Sequence, residues 1–61
     1  MNETLRNQCK YLKAFQNVSY KELAGYLEIP TSSFYCWLSA NYDFSFERQQ
    51  RLKYIIETIK E

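Results

Sequence analysis

Residues 19–40 read SYKELAGYLEIPTSSFYCWLSA and contain the clearest local signals for secondary structure in this chain. Ser19 and Glu22 have the spacing of a capping box, in which the serine hydroxyl accepts from the Glu22 amide and the carboxylate reaches back. Apolar residues then recur at helical spacing, namely Leu23, Ala24 and Leu27. Pro30 ends this helix, because proline disfavours the α conformation in the residue before it. The stretch therefore predicts a capped helix followed by a sharp turn.

A second short helix is predicted from Thr31 to about Ala40. On a helical wheel its apolar residues gather on one side, namely Phe34, Trp37 and Leu38. The other side is uncharged and consists of Thr31, Ser32, Tyr35, Cys36 and Ser39. The pattern predicts a helix that is anchored through one face and leaves the other face available.

Two longer amphipathic helices are predicted around this pair. The first spans about Thr4 to Gln16, and its apolar face comprises Leu5, Cys9, Leu12 and Phe15. A basic stripe lies opposite and is either a solvated face or a phosphate-facing one, made of Arg6, Lys10 and Lys13. Ser45 can cap the last helix, whose apolar arc comprises Leu52, Ile55, Ile56 and Ile59. We therefore expect an all-α fold, a compact bundle of about four helices forming one domain over residues 1–61.

The composition argues against an enzyme. The chain has 61 residues, a net charge of +1 and no histidine, so it lacks a ready proton shuttle near neutral pH. No nucleophile–base set or glycine-rich phosphate loop occurs in the sequence. Two cysteines, Cys9 and Cys36, are too few for a convincing zinc site. We expect no catalytic activity, no metal and no cofactor.

The sequence has neither a long apolar run nor the layout of a signal peptide at its start. A cytoplasmic protein without a membrane partner is expected. In that compartment Cys9 and Cys36 are expected to be reduced thiols, although one disulfide is possible.

Residues 23–38, LAGYLEIPTSSFYCWL, resemble the helix-turn-helix of Cro and phage-repressor (XRE-type) DNA-binding domains. The matched positions are Leu23 and Ala24 in the first helix, Leu27 and Ile29 around the turn, and Phe34 and Trp37 in the second helix. With the capping box, the resemblance covers residues 19–40. Glu28 stands where the family usually has glycine, and a left-handed conformation there would cost about 1 kcal/mol. Pro30 replaces the usual cap, which passes that role to Thr31.

The resemblance implies which residues meet DNA. Base contacts fall on Pro30, Thr31, Ser32, Tyr35, Cys36 and Ser39, and backbone contacts on Tyr20, Lys21, Asn41 and Tyr42. The base-reading residues include no arginine, lysine, asparagine or glutamine, the side chains that make bidentate hydrogen bonds to base edges. We therefore expect modest direct readout of the DNA sequence. Arg48 and Arg51 are further backbone candidates on physical grounds, since a phosphate would relieve two cations near the positive end of the last helix. Their alternative role is surface solubility.

Two functions remain open at this point. The first is a transcriptional regulator of phage or mobile-element type that binds double-stranded DNA, for example a repressor, as a homodimer. Its dimer interface is expected at Phe44, Phe46 and Tyr54, which lie outside the apolar arc of the last helix. The second is an antirepressor- or inhibitor-type helix-turn-helix module that binds a protein and has little DNA affinity. A third possibility places further domains beyond Glu61.

Overall fold

A computed structural model describes residues 1–60 of the chain, with side-chain surroundings for residues 1–59. This part of the chain is all-helical, as predicted, and its elements are α1 (Asn2–Gln16), α2 (Tyr20–Leu27), α3 (Thr31–Leu38) and α4 (Phe46–Lys60). Helix α1 begins two residues earlier than predicted and therefore includes an acidic residue, Glu3, in its first turn. Helix α3 ends two residues earlier than predicted, because Ala40 adopts a left-handed conformation with φ of 64°.

One hydrophobic core joins all four helices. Its buried residues are Leu5, Cys9, Leu12, Leu23, Ala24, Leu27, Phe34, Trp37, Phe44, Leu52 and Ile56. The predicted apolar arcs of α2, α3 and α4 face this core, with Leu38, Ile55 and Ile59 half-buried at its margin. Burial of these apolar surfaces is the main favourable contribution to folding, at about 25 cal/mol per Å².

Phe15 is not part of the core, and its assignment to the apolar face of α1 is wrong. The side chain is 75% exposed and packs only against Tyr11 on the same helix, with ring centroids 4.9 Å apart. Helix α1 stops at Gln16, where Asn17 takes a left-handed conformation and turns the chain away. Val18, after the turn, packs against the core instead.

Arg6 does not belong to an exposed basic stripe, because it is only 4% exposed. Its Nε donates to the Trp37 carbonyl at 2.6 Å, at the end of α3, and its Nη2 donates to the Tyr42 carbonyl at 2.8 Å. The same nitrogen lies 3.0 Å from the Asp43 carboxylate. The guanidinium therefore fixes the segment between α3 and α4 against α1, and the predicted stripe is reduced to Lys10 and Lys13.

Phe44 is 3% exposed, so its assignment to a dimer interface is wrong. The ring stacks on Trp37 with a centroid distance of 4.2 Å and an interplanar angle of 5°. The segment that Arg6 holds ends immediately before this residue, and it delivers the ring into the core ahead of α4.

The helix ends show how the turns are made. The Ser19 half of the predicted capping box is confirmed, since the Ser19 hydroxyl accepts from the Glu22 amide at 3.1 Å. The hydroxyl of Ser45 accepts from the Arg48 amide at 3.3 Å, as predicted. Thr31 does not cap α3, because Pro30 occupies the N-cap position and provides no side-chain hydrogen bond.

Glu28 closes α2 in the left-handed conformation, with φ of 60° and ψ of 40°. The Glu28 amide donates to the Gly25 carbonyl, and the Ile29 amide donates to the Ala24 carbonyl, each at 3.1 Å. A residue with a Cβ is strained here, whereas glycine adopts this conformation freely. The turn between α2 and α3 therefore contains the backbone strain that we expected from a glutamate at the position where the helix-turn-helix family usually has glycine.

Replacing Glu28 with glycine is expected to stabilise the protein by about 1 kcal/mol, because it removes the strain of the left-handed Cβ. The exposed ion pair with Arg51 that is lost with it contributes little. Urea unfolding followed by circular dichroism measures the change. Glu28→Ala is the control, since it removes the same ion pair but keeps a Cβ; equal midpoints for the two variants would contradict the strain argument.

Candidate nucleic-acid interface

Helix α3 is attached to the core through Phe34 and Trp37, both fully buried. The opposite side of the helix, here called the reader face, consists of Thr31, Ser32, Tyr35, Cys36 and Ser39. All of these are exposed except Thr31, which is half-buried. No charged residue occurs between residues 29 and 42. The structure thus brings the five predicted base-reading residues onto one outward surface, with Pro30 exposed at its N-terminal end.

Tyr20 borders the reader face at the start of α2. Its ring meets Tyr35 edge-on at 5.6 Å, and Lys13 Nζ lies 5.2 Å from the Tyr20 ring centroid. Burial raises the pKa of the Tyr20 hydroxyl, with smaller contributions from Cys9 and Tyr35. Lys21 follows on the exposed side of the same first turn. This edge therefore combines a hydroxyl donor with two cations.

Tyr42 borders α3 further along the chain. Its hydroxyl donates to the Ser33 carbonyl at 3.0 Å, and its ring lies edge-on to Phe44 at 5.9 Å. These contacts hold Tyr42 against α3 while leaving 38% of it exposed. The preceding Asn41 is exposed, and its amide is used in closing α3 by donating to the Cys36 carbonyl at 3.1 Å.

Arg48 and Arg51 lie near each other at the start of α4, where with Ser45 and Glu47 they line a shallow polar hollow of about 210 Å³. The Arg48 guanidinium sits 5.3 Å from the centroid of the Phe44 ring, a cation–π geometry that orients it. Arg51 reaches the turn between α2 and α3, with a loose 3.8 Å ion pair to Glu28. Arg48 is therefore positioned by the core, whereas Arg51 is already partly neutralised.

The two remaining dimer candidates are on the surface, with Phe46 72% and Tyr54 70% exposed. Sequence reasoning missed the role of Lys13 beside Tyr20, because a helical wheel gives the direction of a side chain but not the neighbour that it meets. Both cysteines are free thiols. Burial raises the pKa of Cys9 to about 12, which leaves it unreactive, whereas Cys36 is exposed on the reader face.

Residues 1–60 contain no cluster of three or more side chains suited to hold a metal ion. None of the helices in this range has the length and apolar character needed to cross a membrane.

Comparison with known proteins returned no relative. No protein-family model, no curated protein and no solved structure matches the chain.

Proposed function

We propose that the chain is a DNA-binding transcriptional regulator of phage or mobile-element type that acts as a homodimer. In this proposal α2 and α3 form a helix-turn-helix, and α3 enters the major groove. The observation that carries it is the reader face: an uncharged, exposed helix surface, anchored from behind by Phe34 and Trp37. Apart from Tyr35 its side chains are small, which allows the helix axis to approach the base edges of a groove.

The residues around the reader face supply the phosphate contacts of this proposal. Lys21 and Tyr20 stand at one border, at the positive end of the α2 dipole. Asn41 and Arg48 stand at the other end, while Arg51 lies at the turn between α2 and α3 beside Glu28. The hydroxyl hydrogen of Tyr42 is already donated to the Ser33 carbonyl. Side chains of these types bond phosphate oxygens without reading sequence, so they position the helix while Ser32 and Tyr35 contact bases. With so few cations a single protomer binds weakly, which is why the proposal includes a dimer on paired half-sites.

Binding to random and A·T-rich duplexes across a salt series tests this proposal. The logarithm of the affinity should fall linearly with the logarithm of salt, with a slope of about −0.9 per neutralised phosphate. Absence of binding at low salt, at protein concentrations where the dimer is populated, would refute DNA binding. Arg48→Ala combined with Arg51→Ala should reduce the slope by about 1 to 2 and lower affinity on every duplex. Lys10→Ala is the control, because Lys10 is an exposed cation of α1 that lies outside the reader face.

Base reading is tested on a second set of variants. Ser32→Ala and Tyr35→Ala should change the preference among duplexes more than they change non-specific binding, because base contacts carry the sequence information. Selection from a randomised duplex pool measures that preference for each variant. Equal losses on every sequence would argue that neither residue meets a base.

A second candidate, an antirepressor- or inhibitor-type module that binds protein, is favoured by one specific observation. The reader face carries no cation, and two aromatic side chains, Tyr35 and Tyr42, are 50% and 38% exposed around α3. Aromatic residues of this kind are enriched in protein interfaces, where charged residues are depleted. Salt-independent binding to a protein, with no DNA affinity, would select this candidate.

A further inference from the structure

Helix α1 has an outward face without any charged residue, here called the α1 face. It consists of four residues spaced as i, i+4, i+7 and i+11, namely Thr4, Gln8, Tyr11 and Phe15. Tyr11 is 51% and Phe15 75% exposed, and their rings pack together at 4.9 Å. The pair is therefore a preformed aromatic projection at the C-terminal end of α1.

The other end of the α1 face borders a groove between α1 and α4. This groove has a volume of about 400 Å³ and is lined by Met1, Thr4, Leu5, Gln8, Lys53, Ile56 and Glu57. Thr4 and Phe15 are eleven residues apart, which places them about 16 Å from each other along the helix. The aromatic projection and the apolar groove thus lie on one face, and the distance between them prevents Phe15 from entering the groove of its own chain.

The spacing of the α1 face is the same when read in either direction: four, three and four residues. If two copies of α1 cross antiparallel about a two-fold axis between Gln8 and Tyr11, each Phe15 lies opposite the other copy's Thr4, at the groove. Each Tyr11 then lies opposite the other copy's Gln8. A two-fold interface requires a surface that is complementary to itself, and in this arrangement the aromatic projection of each copy would meet the groove of the other.

The charges do not oppose this arrangement. Lys53 and Glu57 both line the groove and give it one charge of each sign, so the carbonyl end of the other copy's α1 would meet no net charge there. The α1 face itself carries no charge, so no two like charges of α1 meet across it.

We propose that a second copy of this chain docks on the α1 face, with Phe15 of each copy entering the other copy's groove. This inference rests on the homodimer of the proposed function and assigns its surface. Arg6 and Lys13 mark the side of α1 that meets α3 and the start of α2, so a copy seated on the opposite side leaves both reader faces open. A standard interface removes about 800 Å² from each partner, a fifth of the 4070 Å² surface of this chain. If the α1 face buries less than this, the dimer belongs among the weak, transient associations.

Sedimentation of the full chain without DNA, over a concentration series, tests the docking surface. Phe15→Glu should raise the dimer dissociation constant at least tenfold, because it places a charge in the groove. Phe46→Glu is the matched control, since Phe46 is equally exposed at 72% and belongs to the dimer surface predicted from sequence. An unchanged constant for Phe15→Glu, or a larger effect from Phe46→Glu, would overturn the α1 surface. Circular dichroism of both variants checks that the exposed substitutions leave the helices intact.

DNA titrations of the same variants separate this inference from the proposed function. If Phe15→Glu dissociates the dimer but the wild-type chain does not bind DNA, the docking surface on α1 is supported and the proposed DNA-binding function is rejected. Two outcomes would support DNA binding and overturn the α1 surface. In the first, the chain binds DNA but sediments as a monomer at all concentrations. In the second, it binds DNA and only Phe46→Glu dissociates the dimer. Loss of cooperative binding to paired half-sites in Phe15→Glu, with single-site binding retained, supports both.

Discussion

Arg6→Ala is expected to lower the free energy of unfolding by about 2–4 kcal/mol, because two carbonyls lose a charged hydrogen-bond donor and the buried side chain loses its packing. The guanidinium is 4% exposed and binds the Trp37 and Tyr42 carbonyls together with the Asp43 carboxylate. It also lies 5.2 Å from the centroid of the Trp37 indole. Its removal leaves the end of α3 without its donor and frees the segment that carries Phe44. Because a domain of this size has little stability in reserve, the variant should be largely unfolded at 37 °C.

Thermal and urea unfolding of Arg6→Ala measure this loss. Lys10→Ala is the control, since Lys10 is exposed one turn further along α1 and should change stability by less than about 0.5 kcal/mol. Arg6→Lys should fall between the two, because lysine keeps the charge but lacks the planar fork that reaches two carbonyls at once. Should Arg6→Ala unfold within about 1 kcal/mol of the wild type, the role assigned to the guanidinium would be wrong.

Phe44→Ala is expected to cost about 3–5 kcal/mol, the range for removing a buried phenylalanine and leaving a cavity. The ring is 3% exposed and stacks on Trp37 at 4.2 Å, so the indole loses its packing partner as well. Phe44→Leu retains part of the volume and should lose less, which keeps the test usable if the alanine variant does not fold.

The control for Phe44 is Phe46→Ala, two residues away and 72% exposed, which should leave the urea midpoint nearly unchanged. If Phe44 belonged to an interface between protomers, its replacement would change the dimer constant and leave the unfolding of the monomer intact. That outcome would contradict its place in the core.

The candidate site could be predicted from sequence to the extent that it depends on one helix. The outward direction of Ser32, Tyr35 and Cys36 follows from helical periodicity and the apolar residues behind them, because in a helix the direction of a side chain is set by its position. The same reasoning could not place Lys13 beside Tyr20, or couple Arg51 to Glu28, since these contacts join different helices. Two short helices around a sharp turn were predictable; what borders them was not.

Local spacing, capping and a single proline suffice to predict the four helices, the apolar arcs of α2, α3 and α4, and the uncharged outer face of α3. The burial of Arg6 and Phe44 and the exposure of Phe15 depend on how the helices pack. Arg6 is buried because carbonyls 31 and 36 residues away satisfy it, and Phe15 is exposed because α1 extends past the core. Whether a side chain is buried depends on partners that are distant in sequence, and no local pattern records them.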